Sequence, residues 1–131
     1  MIDKPAHRIY RGITDQADGT NARILVMDSG TGPTERERAS LLYELAPNEA
    51  YWWGHDGSSS GATASAILDD VLPEAVADWS FPELPLQLRN DLIMAFRQDL
   101  LACCHDPRGF WLPARTIVRW LHGFLREHAQ S

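Results

Sequence analysis

Two apolar stripes at helical spacing fill the last third of this 131-residue chain, and they constrain everything before them. From about Pro113 onward, Ile117, Trp120, Leu121, Phe124 and Leu125 recur at i, i+3, i+4, i+7 and i+8. That spacing puts all five on one face of a helix. Upstream, Leu88, Leu92, Phe96, Leu100 and Cys103 keep to one side of a helix expected from Leu86 to Cys104, with Ile93 and Leu101 widening the stripe. Such a helix would be about 28 Å long. Pro107-Arg108-Gly109 ends it. A one-faced helix needs another layer to cover its stripe, so the first half of the chain must supply one.

The first third reads as short strands separated by turn residues. Arg8-Ile9-Tyr10-Arg11-Gly12-Ile13 alternates charge with β-favouring side chains, and Asp15 to Asn21 supplies a polar turn. Ala22 to Asp28 contains four consecutive apolar residues and is stopped by Ser29-Gly30-Thr31-Gly32-Pro33, which completes a hairpin. The stretch Thr34 to Pro47 has two readings. Thr34 with Glu37 matches a helix capping box, whereas Leu41-Leu42-Tyr43-Glu44-Leu45 suits an extended chain before Pro47. A strand over 40–45 is the expectation, because a lone two-stranded ribbon is marginal in water.

Tyr51-Trp52-Trp53 runs directly into a loop of Gly, Ser, His and Asp ending at Gly61. Ser59 or Ser60 can cap a helix from Ala62 to Leu72, where Ala64, Ile67, Leu68 and Val71 share a face and Pro73 is expected to stop it. Phe81-Pro82-Glu83-Leu84-Pro85 then reads as a connector. The resulting expectation is an α+β fold in a single domain spanning residues 1–131. A small N-terminal antiparallel sheet of about three strands (residues 1–50) packs against about three helices (residues 59–128).

Composition narrows the functional classes. The 44% apolar and 23% charged content fits a globular domain, and charge, Gly or Pro interrupts every apolar run before it could span a bilayer. Residues 1–8 lack the apolar stretch of a secretion signal, so the expected compartment is the cytoplasm. The net charge of −6 is unevenly spread. Residues 45–84 carry Glu49, Asp56, Asp69, Asp70, Glu74, Asp78 and Glu83 with no Lys or Arg, while residues 85–131 hold six Arg against four acids. An acidic chain without a basic run is poorly suited to displacing counterions from nucleic acid, so direct nucleic-acid binding is not expected. The acidic middle suits a basic protein partner, or it forms a plain solvated face. Adjacent Cys103 and Cys104 point about 100° apart on a helix, and no second cysteine pair or His pair has ligand spacing. No metal or cofactor is expected.

Trp53-Gly54-His55-Asp56-Gly57-Ser58, followed by the alanine-rich Ala62 to Leu68, resembles an uncharacterised family of small proteins carried by phages, plasmids and bacteria. In that family a W-G-Y-G-G-S-G-P loop leads into an L-A-L-A-I-L helix. Trp53, Gly54, Gly57, Ser58, Ala64, Ala66, Ile67 and Leu68 match it residue for residue. Tyr10-Arg11-Gly12 is similar to the family's opening Y-x-G strand, and Trp111, Ile117, Trp120 and Leu121 to its closing W-x-I-x-W-L pattern. His55 and Asp56 replace Tyr and Gly, and Ser60-Gly61 replace Pro-Ala. The resemblance implies a mobile-element setting and no particular activity.

Two candidate surfaces follow. The Gly-Ser loop with His55, Gly57, Ser58 and Ser59 at a helix start is a candidate anion site, although it lacks the Lys a Walker loop needs. Hydrolysis by His55, Asp56 and Ser58 to Ser60 would need a triad geometry that sequence neighbours do not supply. The other candidate is a docking surface of Trp52, Trp53, Glu49, Asp56, Asp69 and Asp70, where an exposed indole with an acidic rim would suit an Arg-rich partner. In an extended segment Trp52 and Trp53 face opposite ways, so one enters the core. Trp111 and Trp120 are expected at core positions of helices. The functional expectation is a non-enzymatic protein-binding module from a mobile element, in its most concrete form an anti-CRISPR-like inhibitor of a nucleic-acid-binding defence complex. The alternatives are a small enzyme or ligand-binding protein with its site at Trp53 to Ser60, and a homodimer with a housekeeping role.

Overall fold

The computed structural model describes residues 8–14, 22–28, 40–48, 51–53, 61–103 and 109–130. Strands β1 (Arg8–Ile13), β2 (Arg23–Asp28) and β3 (Ser40–Glu44) come first, then helices α1 (Gly61–Ala75) and α2 (Leu86–Asp99), strand β4 (Gly109–Pro113) and helix α3 (Ala114–Gln130). The fold is α+β. One antiparallel sheet in the order β3-β2-β1-β4 packs one face against the three helices.

Register decides which side chains meet the helices. Tyr10 pairs with Val26 and with Leu112, and Val26 pairs with Tyr43, so these four share a face. Tyr10, Ile24, Val26 and Leu112 join Ile67, Leu68, Val71 and Leu72 of α1, Leu92 and Phe96 of α2, and Ile117 and Leu121 of α3 in one buried cluster. The helical stripes read from sequence supply these residues. On the other face Ile9, Leu25 and Met27 are also buried, outside that cluster, and Arg11 stacks over Trp111 at 4.5 Å.

The three expected N-terminal strands are present, and a fourth, β4, joins them. Three sequence expectations need correction. Gly109-Phe110-Trp111-Leu112-Pro113 buries Phe110 and Leu112 and turns Trp111 to the opposite face, so Trp111 is a half-exposed strand residue rather than a helical core residue. The period-2 alternation was present but only five residues long. Trp120 does lie on α3, half-buried, with its indole N–H donating to Asp99 at 2.8 Å.

Pro73 does not end α1, which runs to Ala75. Proline in the last turn forfeits one hydrogen bond, and Val76 N–H still reaches Leu72 O at 3.0 Å. Helix α2 stops at Asp99 rather than Cys104, and the chain tightens into a 3-10 turn over Leu101–Cys103 that buries Leu101. The expected strand at 40–45 is present as β3. The Thr34 capping box, the Ser59/Ser60 cap and Cys104 lie outside the described residues.

Glycine at position 12 has a packing reason. A Cβ there would overlap the Phe110 ring and touch Trp53, whose indole meets Phe110 edge-on at 4.9 Å. Among the described residues, no helix is long and apolar enough to cross a membrane.

Candidate functional site

The acidic and aromatic residues singled out from sequence separate into three environments. Trp53 is 1% exposed and belongs to the core, so it cannot be offered to a partner. Trp52 is half-buried and stacks on it at 5.6 Å, so the two rings do not face opposite ways as a fully extended segment would place them. Its backbone is fixed to α1: Trp52 N–H donates to Thr63 Oγ1 at 2.9 Å, and the same hydroxyl donates to Trp52 O at 2.6 Å. Asp69 is exposed on α1. Glu49, Asp56, His55, Gly57, Ser58 and Ser59 lie outside the described residues, so both the Gly-Ser loop and much of the proposed acidic rim do as well.

Asp70 does not belong to the plain solvated face that the acidic middle of the sequence also allowed. Tyr10 O–H donates to its Oδ2 at 2.5 Å, and Tyr43 O–H lies 2.8 Å from both of its oxygens. Arg8, fully buried, donates through Nη1 to Glu74 Oε1 at 2.7 Å and through Nη2 to Glu74 Oε2 and to Tyr10 Oη at 2.9 Å. Its Nη2 also lies 3.6 Å from Asp70 Oδ2. One cation thus sits between two carboxylates, with two phenols closing the network. Arg8 Nε is buried without a hydrogen-bond partner, a cost the network carries.

The electrostatics follow from this geometry. Burial opposes the Arg8 charge, but the hydrogen bonds to Glu74 and Tyr10 outweigh it and raise its pKa. Burial and the Asp70 carboxylate push both Tyr10 and Tyr43 well above the usual phenol range. Arg8 and Tyr10 are fully buried and Asp70 is nearly so, and the network fastens α1 across β1 and β3. No local pattern announces it, because Asp70 lies sixty residues from Tyr10.

The feature that faces outward beside this clamp is the edge of the sheet. β3 is the last strand on its side, and among the described residues nothing pairs with its outer edge. Leu41 is 58% and Leu42 40% exposed. The register jumps from Val26↔Tyr43 to Met27↔Leu41, leaving Leu42 as the extra residue of a bulge. The strand contains no Lys or Pro, and its short length and bulge are what limit pairing at this edge. A depression of about 280 Å3 lies between Asn48, Tyr51 and α1, with Asp69 and Arg89 on its wall. Tyr51 is anchored there by its hydroxyl, which donates to Ala46 O.

A second concavity, of about 400 Å3, lies between the C-terminal end of α1 and α3. Among the described residues, no group of three His, Cys, Asp or Glu side chains is placed to hold a metal ion. No family model, curated protein or solved structure matches the chain.

Proposed function

We propose that this chain is a non-enzymatic protein-binding module that receives an extended, basic segment of a partner protein along the outer edge of β3. The observation that carries it is the pair of exposed leucines on the outermost strand, Leu41 at 58% and Leu42 at 40%. An open edge offers main-chain donors and acceptors to an added strand, and alternate side chains of that strand then find pockets or charge partners. The acids of residues 45–84 other than Asp70 and Glu74, which Arg8 engages, favour a basic segment by speeding its encounter. The docking surface is therefore moved from the indoles to the edge.

The resemblance of the Trp53 to Leu68 stretch supports a mobile-element setting in the cytoplasm. In that setting the partner is a host defence complex whose nucleic-acid-binding surface is basic, and the chain inhibits it by occupation. Trp53, Ala64, Ile67 and Leu68, which carry half of the direct matches, are core residues here, so what they support is a shared scaffold.

The test is selection of random linear peptides on the immobilised protein. The expected binders alternate apolar residues with Lys or Arg and lose at least ~10-fold in affinity on Leu41→Lys/Leu42→Lys, a lysine-blunted edge. Binders indifferent to that double variant overturn the proposal. So does concentration-dependent dimerisation in light scattering that the double variant abolishes, which assigns the edge to a second copy.

A further inference from the structure

Side chains of a strand alternate between the two faces of its sheet, so cross-strand partners line up in rows, and among the described residues four such rows reach β3. On the face packed against the helices, Leu112, Tyr10 and Val26 lead to Tyr43, whose O–H donates to Asp70 at 2.8 Å. Beside it on that face, Arg8 and Asp28 lead to Ser40, an exposed hydroxyl. On the opposite face Trp111, Arg11 and Leu25 lead to Glu44, whose carboxylate accepts from Arg23 at 2.6 and 3.1 Å. Only the fourth row ends in an apolar side chain. It runs Pro113, Ile9, Met27, Leu41. Ile9 and Met27 are buried, whereas Leu41 is 58% exposed. Leu42, the extra residue of the bulge, belongs to no row.

The three polar ends need no further strand. The fourth row is a buried apolar stripe that comes to the surface at its last member, and a side chain placed directly across from Leu41 on an added strand would cover it. We infer that Leu41 is the specificity-determining residue of the β3 edge, taking one apolar side chain of the added segment on the face turned away from the helices. The inference rests on the β3-edge reading and gives the segment a parity. Alternation turns its basic positions toward the face that carries α1, where Asp69 is exposed. Glu44 already has Arg23, so the position across from it selects no charge.

The probe is a decapeptide of alternating Thr and Lys with a single Leu in place of one central Thr, titrated against the whole chain beside its Leu-free parent. The Leu peptide is expected to bind ~5-fold or more tighter, with shifts at the Leu41 methyl resonances. Leu41→Ser should erase that preference and Leu42→Ser should keep it. Equal affinity of the two peptides for the unaltered chain overturns the inference without any variant. A preference that survives Leu41→Ser, or that Leu42→Ser removes instead, overturns it as well. Amide exchange separates this failure from that of the docking reading. Peptides that protect Ser40 to Glu44 with no preference for Leu leave the edge reading standing and remove only the role of Leu41. Absence of saturable binding by ~1 mM removes both.

Discussion

Asp69 and Asp70 are neighbours in sequence and opposites in environment, which makes them a matched pair for testing the buried clamp. Asp70→Ala removes the acceptor for Tyr10 O–H at 2.5 Å and for Tyr43 O–H at 2.8 Å, and withdraws one of the two carboxylates near Arg8. A hydrogen bond to a charged group contributes about 1.5–3 kcal/mol, and removing one partner of a buried ionic cluster costs about 3–5 kcal/mol. Tyr43 is only half-buried and can regain a water, and Glu74 still balances Arg8, so the lower part of that range applies. The expected loss is about 3–4 kcal/mol, a large share of the ~5–15 kcal/mol typical of a domain. Urea unfolding followed by tryptophan fluorescence should show it as a midpoint lowered by roughly 2 M at a slope near 2 kcal/mol/M. Asp69→Ala should stay within about 0.5 kcal/mol of the parent. A double-mutant cycle with Tyr10→Phe should give a coupling of about 0.5–3 kcal/mol. If Asp70→Ala proves as mild as Asp69→Ala, the clamp does not exist as described and α1 must be held to the sheet by apolar contacts alone.

Three further outcomes follow from the same packing. All three tyrosines have raised pKa values, Tyr10, Tyr43 and Tyr51 each pushed up first by burial. A folded pKa above the unfolded value of about 10 means that their stabilising contribution is complete below pH ~10 and is lost as pH rises toward the folded pKa. Tyrosinate absorbance should therefore appear late and cooperatively, together with unfolding; three independent titrations near pH 10 would contradict this. Gly12→Ala should destabilise the fold by about 1–3 kcal/mol, read from thermal melts, because its methyl overlaps the Phe110 ring. Trp53→Ala should cost about 3–5 kcal/mol in urea unfolding, whereas Trp52→Ala, at a half-buried position, should cost well under half as much.

Helices and the first three strands were legible because each has enough residues to establish a period. The apolar stripe of α3 and the four-residue apolar run of β2 needed only counting. β4 was missed because five residues between a loop and a helix give little more than two alternations. That one of Trp52 and Trp53 enters the core was legible, but not that the two rings stack on each other instead of facing opposite ways, nor which ring goes inward. That depends on Phe110 packing edge-on from a strand more than fifty residues away. Asp70 was misread for a related reason. Helical spacing places it at the margin of the apolar face, and only Tyr10 and Tyr43 arriving from two strands turn that margin into a buried acceptor. Edge exposure is likewise a property of strand order. Leu41 and Leu42 look like core residues until β3 proves to be the outermost strand.

The most direct measurement of the docking account is amide hydrogen exchange along β3, taken with and without a selected basic, extended peptide. The account predicts that the amides of Ser40 to Glu44 gain protection on binding, with Leu41 and Leu42 at the centre of the change and α3 unaffected. Protection that leaves β3 untouched and falls on the helices or the Trp52 surface would contradict it.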